Sequence, residues 1–150
     1  MYIDDFYEDL FQAYKKYIEE NSSYGVKVVK MFNNDSPYFP ITVFSLSNNT
    51  DTNRCTVDKI EYYEQFYFTI THYAKDKTIE QTIDNKPVKV KVSAKVINDE
   101  TRKLTITFMR NLNMRKTLDK PIPNLDKDIL RNIMQYQCMV GNSRLDIIRR

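Results

Sequence analysis

Apolar side chains recur over residues 3–21 at steps of three and four. Ile3, Phe6, Leu10, Tyr14, Tyr17 and Ile18 fall on one face, which predicts an amphipathic helix from Ile3 to Asn21. Asp4, Asp5, Glu8 and Asp9 crowd its first half, where negative charge suits the positive end of the helix dipole. Asn21-Ser22-Ser23 ends it. The period then changes. Val26, Val28 and Met31 stand among lysines in Gly25–Phe32, a short strand candidate, and Asn33–Pro37 is a turn cluster. Phe39-Pro40 opens a second strand, Ile41–Leu46, with proline at the start, where its missing N–H does no harm. Asn48–Asp58, NNTDTNRCTVD, is polar and reads as a long loop, a feature that in compact domains often carries function. The clearest strand is Tyr62–Ala74, where Phe66, Phe68 and Ile70 alternate with Tyr67, Thr69 and Thr71. Asp76–Pro87 reads as a connector.

Two periods compete over Val88–Leu112. VKVKVSAKV and LTITF alternate like strands around INDET, which predicts a hairpin. Val92, Val96, Glu100, Leu104, Phe108 and Leu112 also lie four apart, no Gly or Pro interrupts them, and Asn113 suits a left-handed helix end. Pattern alone favours the hairpin, with the helix as the alternative. Pro121-Ile122-Pro123-Asn124 pins an extended corner. From Ile129 to Val140 the residues largely alternate, which predicts a strand rather than the helix that Asn124 could cap. Gly141-Asn142 is a hairpin turn, and Leu145 and Ile147 alternate in a last short strand. In such a strand Arg131 and Tyr136 fall on opposite faces.

A length of 150 residues suits one domain with a real core, and 41% hydrophobic against 29% charged residues is a globular balance. With only 2 glycines, left-handed turns must lean on Asn and Asp. The net charge of +3 falls short of a dedicated nucleic-acid stripe. The basic middle, Lys86, Lys89, Lys91, Lys95, Arg102, Lys103, Arg110, Arg115 and Lys116, leaves a small nucleic-acid-binding module as an alternative. The first residues are acidic, unlike a signal peptide, and no apolar run is long enough to span a bilayer. The expectation is a soluble, intracellularly made chain with no membrane partner.

Chemistry changes this picture little. Cys55, Cys138 and the single histidine, His72, have neither metal-ligand spacing nor a nucleophile elbow, and 2 glycines cannot build a phosphate-cradling loop. The expectation is a non-enzyme without catalytic residues, cofactor or metal. The surface it offers then matters most. The Asn48–Asp58 stretch, with Asn48, Asn49, Asp51, Asn53, Arg54 and Asp58, and the C-terminal strand, with Arg144, Arg149 and Arg150, are the candidate interfaces.

Several features occur together in order: an N-terminal helix, Phe39-Pro40 opening a strand, and Asn49 in a polar Thr/Asp stretch. Glu61 precedes the aromatic strand, then come Pro121-x-Pro123-Asn124, Arg131, Tyr136 and a terminal Arg149-Arg150. This order resembles the tail-completion or tail-terminator (head–tail joining) proteins of long-tailed phages and prophages. The resemblance spans most of the chain and implies one such domain over residues 1–150. The implied fold is α+β: a mainly antiparallel sheet covered on one side by the N-terminal helix and a second helix at about Val92–Leu112, then a C-terminal β-hairpin. The family's second helix normally ends in Gly-Phe, and Asn113-Met114 stands there in this chain.

The implied role is a homo-hexameric ring in the virion's tail–neck region, made in the host bacterial cytoplasm. It caps the head-proximal end of the tail tube, stops elongation and joins the tail to the head connector. Its partners would be itself, the tail tube protein and a head-completion or connector protein. Genomic DNA would pass through the channel without specific binding. Another neck adaptor of the same particle is the nearest alternative.

Overall fold

The computed structural model describes residues 3–32, 38–55, 60–123, 126–141 and 147–148. In chain order the elements are α1 (Ile3–Asn21), β1 (Lys27–Val29), β2 (Ile41–Cys55), β3 (Ile60–Ala74), β4 (Lys77–Ile83), β5 (Lys86–Val92), α2 (Ala94–Asn111), β6 (Arg115–Ile122), β7 (Leu130–Gly141) and β8 (Ile147–Ile148). The aromatic strand β3 is the centre of the sheet, whose order is β1-β2-β3-β7-β6. β8 shares the outer edge of β7 with β6. β1 runs parallel to β2, and all other pairs are antiparallel. The architecture is α+β, with both helices against one face of a mostly antiparallel sheet and β8 antiparallel to the end of β7; Asn142, of the expected turn, lies outside the described residues.

Alternation decides which face is dry. Phe66, Phe68, Ile70, His72 and Ala74 of β3 are buried together with Asn132, Met134, Tyr136 and Cys138 of β7. Phe6, Leu10, Phe11, Tyr14 and Ile18 of α1 close over them; of the expected stripe Tyr17 is only half-buried, and Phe11 joins the buried set. Phe6 lies 4.8 Å from Phe66 and Tyr14 lies 5.0 Å from Phe44, ring centre to ring centre, in the range where aromatic pairs attract beyond simple burial. The opposite face carries Ser45, Thr69, Thr71, Gln135 and Gln137. Its hydroxyls bond within the sheet: Ser47 Oγ meets Thr69 Oγ1 at 2.6 Å.

The contested segment contains both structures. VKVKV belongs to β5, and α2 starts only after Ser93, whose hydroxyl accepts from the N–H of Val96 and caps it. The expected start at Val92 is therefore two residues early, and the hairpin pairs β5 with β4 instead of with LTITF. The connector reading of Asp76–Pro87 is corrected accordingly. Asp84 and Asn85, with φ of 51° and 62°, make the two-residue turn that matches strand twist, a job glycine usually does.

The register of α2 also differs from the expected four-residue series. Ile97, Thr101, Thr105 and Met109 face the sheet, and Val96 is 48% exposed. The threonines tolerate burial because their hydroxyls donate to carbonyls one turn back, Thr101 to Ile97 at 3.0 Å and Thr105 to Thr101 at 2.9 Å. Having spent its proton there, Thr105 accepts from Tyr14 Oη at 2.8 Å, which ties α1 to α2. Phe108 of the expected series packs on α1, its ring 5.5 Å from Tyr14 and 5.4 Å from Tyr17. Asn113 ends the helix with φ 57°, the left-handed conformation expected of it.

Candidate functional site

The expected loop Asn48–Asp58 is largely a strand. β2 continues to Cys55 and pairs rung for rung with β3, from Asn48 opposite Tyr67 to Cys55 opposite Ile60. A register shift between Leu46 and Asn48 absorbs one residue. Asn and Asp have weak strand preference, but the aromatic partner strand supplies the pairing that overrides it. Asn48, Asn49, Asp51, Asn53 and Arg54 therefore sit on a strand, with Arg54 opposite Glu61 and Asp51 opposite Glu64. β1 covers only Ile41–Val43 of its outer side. Beyond Val43, no strand among the described residues pairs with that edge. A bare edge offers unpaired N–H and C=O groups to another chain. Asp58, Asn124, Arg144, Arg149 and Arg150 lie outside the described residues.

The remaining motif residues have structural surroundings. The Phe39–Pro40 bond is cis, and the Pro40 carbonyl accepts from the N–H of Lys27 at 3.2 Å, which aligns β1. The Phe39 ring lies 6.0 Å from Phe32, which lies 5.2 Å from Tyr73. Pro121 is a residue of β6, opposite Asn132, so the corner expected there begins as an edge strand. An edge is where a sheet tolerates proline. β6 itself escaped the sequence reading because RKTLDKPI shows no alternation. Arg131 and Tyr136 lie on opposite faces, as expected: Tyr136 is buried under the helices, and the Arg131 guanidinium sits 5.6 Å from the Tyr73 ring centre.

Beside Tyr136 lies a polar cluster that sequence reasoning missed. Asp119 of β6 accepts from Arg102 Nε at 2.6 Å, from Asn132 Nδ2 at 3.2 Å and from Lys116 Nζ at 3.4 Å. Asn98 donates to the Leu130 carbonyl at 3.1 Å. These contacts tie α2 to β6 and β7, and Asn98, Arg102, Asp119 and Asn132 border a cavity of about 350 Å³ that also takes in Lys95 and Arg131. One signal was available: Asn132 occupies the buried phase of an alternating strand, where a polar residue needs a partner.

Burial pushes the Asp119 carboxyl upward, but the hydrogen bonds from Arg102 and Asn132 and the charge of Arg102 outweigh it and hold it below its ordinary 3.8. Burial first, and then the charge of Asp119, pushes the Tyr136 hydroxyl up to about 12. Replacing Asp119 by Ala should cost about 2–3 kcal/mol, the usual effect of losing bonds to a charged group, and chemical denaturation at pH 7 measures it. Because the folded value is depressed, the wild-type advantage is present above pH 3.8 and shrinks as the pH falls below it. A loss that persists undiminished in strong acid would contradict the assignment.

The two groups that most resemble a reactive pair are kept apart. Cys138 is opposite Phe66, six residues along β3 from His72, a separation of about 20 Å at strand rise. Burial pushes the Cys138 thiol up to about 12, far from thiolate formation at neutral pH. His72 is fully buried: Nδ1 meets Thr42 Oγ1 at 2.9 Å and Nε2 faces the Met134 sulfur at 3.3 Å. The tautomer with its proton on Nε2 satisfies both contacts. Among the described residues no three His, Cys, Asp or Glu come together as metal ligands, and no helix is long and apolar enough to cross a membrane.

A comparison with protein-family models gives no match to this chain, and a comparison with curated proteins gives none either.

Proposed function

We propose that this chain is the subunit of a homo-oligomeric ring that caps the head-proximal end of a phage tail tube, stops its elongation and joins it to the head connector. The observation that carries the reading is the outer edge of β2, which beyond Val43 has no partner strand among the described residues and runs on to Cys55, in a sheet whose described helices lie on one face. Such an edge is a template for another chain, and a closed head-to-tail ring satisfies it in every copy without open-ended growth. The ordered series from Phe39-Pro40 to Arg149-Arg150 supplies the phage context by resemblance. The tail tube and connector proteins are the further partners this role requires. Genomic DNA passes through the channel, whose wall works best without tight phosphate contacts.

Size-exclusion chromatography with light scattering, together with negative-stain images of the protein mixed with tail tubes, tests this role. The expected result is a ring of six 17.9 kDa protomers, either at high concentration or on tube ends. A strict monomer that also leaves tubes uncapped would overturn it, and localisation elsewhere in the neck of intact virions would favour an adaptor role.

The basic middle of the chain bears on the nucleic-acid alternative. Its lysines Lys86, Lys89 and Lys91 stand on the β4–β5 hairpin, yet residues 77–92 include no aromatic side chain for bases to stack on. Retention on single-stranded DNA that falls steeply with salt would favour that alternative.

A further inference from the structure

The β4–β5 hairpin forms a separate two-stranded sheet. Near its base Lys77 Nζ donates to the Tyr24 carbonyl at 2.8 Å, and Asp76 accepts from the N–H of Ala94 at 2.8 Å. Beyond that, every residue from Glu80 to Lys89 is exposed. One face is apolar: Ile79 pairs with Val90, and Ile83 and Val88, 49% and 40% exposed, continue it toward the tip. A lone two-stranded ribbon is marginal in water, and a third strand is the usual remedy.

The two edges of the ribbon are not equivalent. In a two-residue turn the flanking pair, here Ile83 and Lys86, exchanges both backbone bonds, so the next pair, Thr82 and Pro87, points its backbone groups outward. The outward positions of β5 are then Pro87, Lys89 and Lys91. Proline lacks the donor, and lysines are what protected edges carry. The outward positions of β4 are Thr78, Glu80 and Thr82, which leaves that edge open.

We propose that the hairpin is an assembly arm: the free edge of β4 adds as a strand to the unpaired outer edge of β2 in a neighbouring copy of this chain. The contact completes two deficits of one molecule, an edge beyond Val43 with no described partner and a ribbon that needs a third strand. Charge favours the match. Lys77, Lys86, Lys89 and Lys91 outnumber Glu80 and Asp84 on the arm, whereas Asp51, Glu61 and Glu64 outnumber Arg54 on the distal β2–β3 strands. Because arm and edge are different surfaces, the contact propagates head to tail, and it closes as a ring where the rotation between neighbours allows. The inference rests on the self-assembling reading above and identifies the surface that carries it.

Proline substitutions test the edge, because at outward positions they remove a donor the hairpin itself does not use. Wild type, Glu80→Pro and Lys89→Pro are compared by light scattering at matched concentration, alone and with tail tubes, with circular dichroism checking the fold. Ile83→Lys, at an exposed position beside the turn, is a fourth chain that tests the apolar face without a backbone change. Glu80→Pro and Ile83→Lys should run as the 17.9 kDa protomer while Lys89→Pro assembles like wild type. Assembly of Glu80→Pro at wild-type level, or equal loss in Lys89→Pro, overturns the arm and leaves the ring reading standing. A wild-type chain that never assembles overturns both.

Discussion

Acidification from pH 6.5 to pH 4 should cost this protein about 3 kcal/mol of folding stability through one residue, His72. Its imidazole is fully buried against Thr42 of β2 and Met134 of β7, and burial depresses its pKa from 6.5 to about 3; the charge of Asp119 pulls it up and that of Arg102 pushes it further down, both by less than burial does. The folded-state imidazole thus refuses a proton that the unfolded chain accepts between those two values. The part of the stability that His72 controls is full above pH 6.5, falls as the pH drops toward 3, and levels off below that. Neither available neighbour rescues the cation: Thr42 Oγ1 can accept from Nδ1–H only by giving up its own donation, and the Met134 thioether is a weak acceptor. Urea unfolding of wild type and His72→Gln at pH 7 and pH 4 measures the effect. The variant should start less stable at pH 7, because the Thr42 bond is disturbed, yet lose much less on acidification. An undiminished loss in His72→Gln would place the proton uptake elsewhere.

Phe68→Ala should destabilise the fold by about 3–5 kcal/mol, the range for removing a fully buried aromatic ring from a core that cannot collapse around the gap. Phe68 sits on the central strand. Its ring lies 5.4 Å from Phe44, 5.9 Å from Phe66 and 6.2 Å from both Phe6 and Tyr7, so a single truncation opens the contact between α1 and two strands. That is a large share of the ~5–15 kcal/mol that holds a typical domain together. Tyr67→Ala, one residue away on the open face of the sheet, is the matched control and should cost much less. Denaturant midpoints of the two variants decide the matter: equal losses would mean that the two sheet faces are equally buried, contrary to the packing described.

The elements with one wet face and one dry face are legible in the sequence. The 3.6-residue stripe of α1 and the alternation of β3 and β7 each encode a burial pattern that a single segment can display. Asn113 is legible for a different reason, since its ability to turn left-handed is a property of the residue itself. The Val88–Leu112 segment is half legible. The strand pattern is real but belongs to Lys86–Val92, and Ser93 marks the change of period. The buried face of α2 is easily misread because Thr101 and Thr105 look polar until their hydroxyls are seen turning back onto the helix.

Of the candidate site, the residue set Asn48–Arg54 stands out by composition, but its conformation does not. Polar residues with weak strand preference become β2 because β3 lies beside them, and strand pairing is a contact between segments that neither segment displays alone. The same reason hides β6 and the Asp119 cluster, which exists only where α2, β6 and β7 meet. What the chain writes locally is which side of each periodic element is dry and where its turns fall. Which edges stay open, which polar residues find partners and which hairpin is left standing in water depend on backbone pairing over long sequence separations, and only the folded sheet settles those.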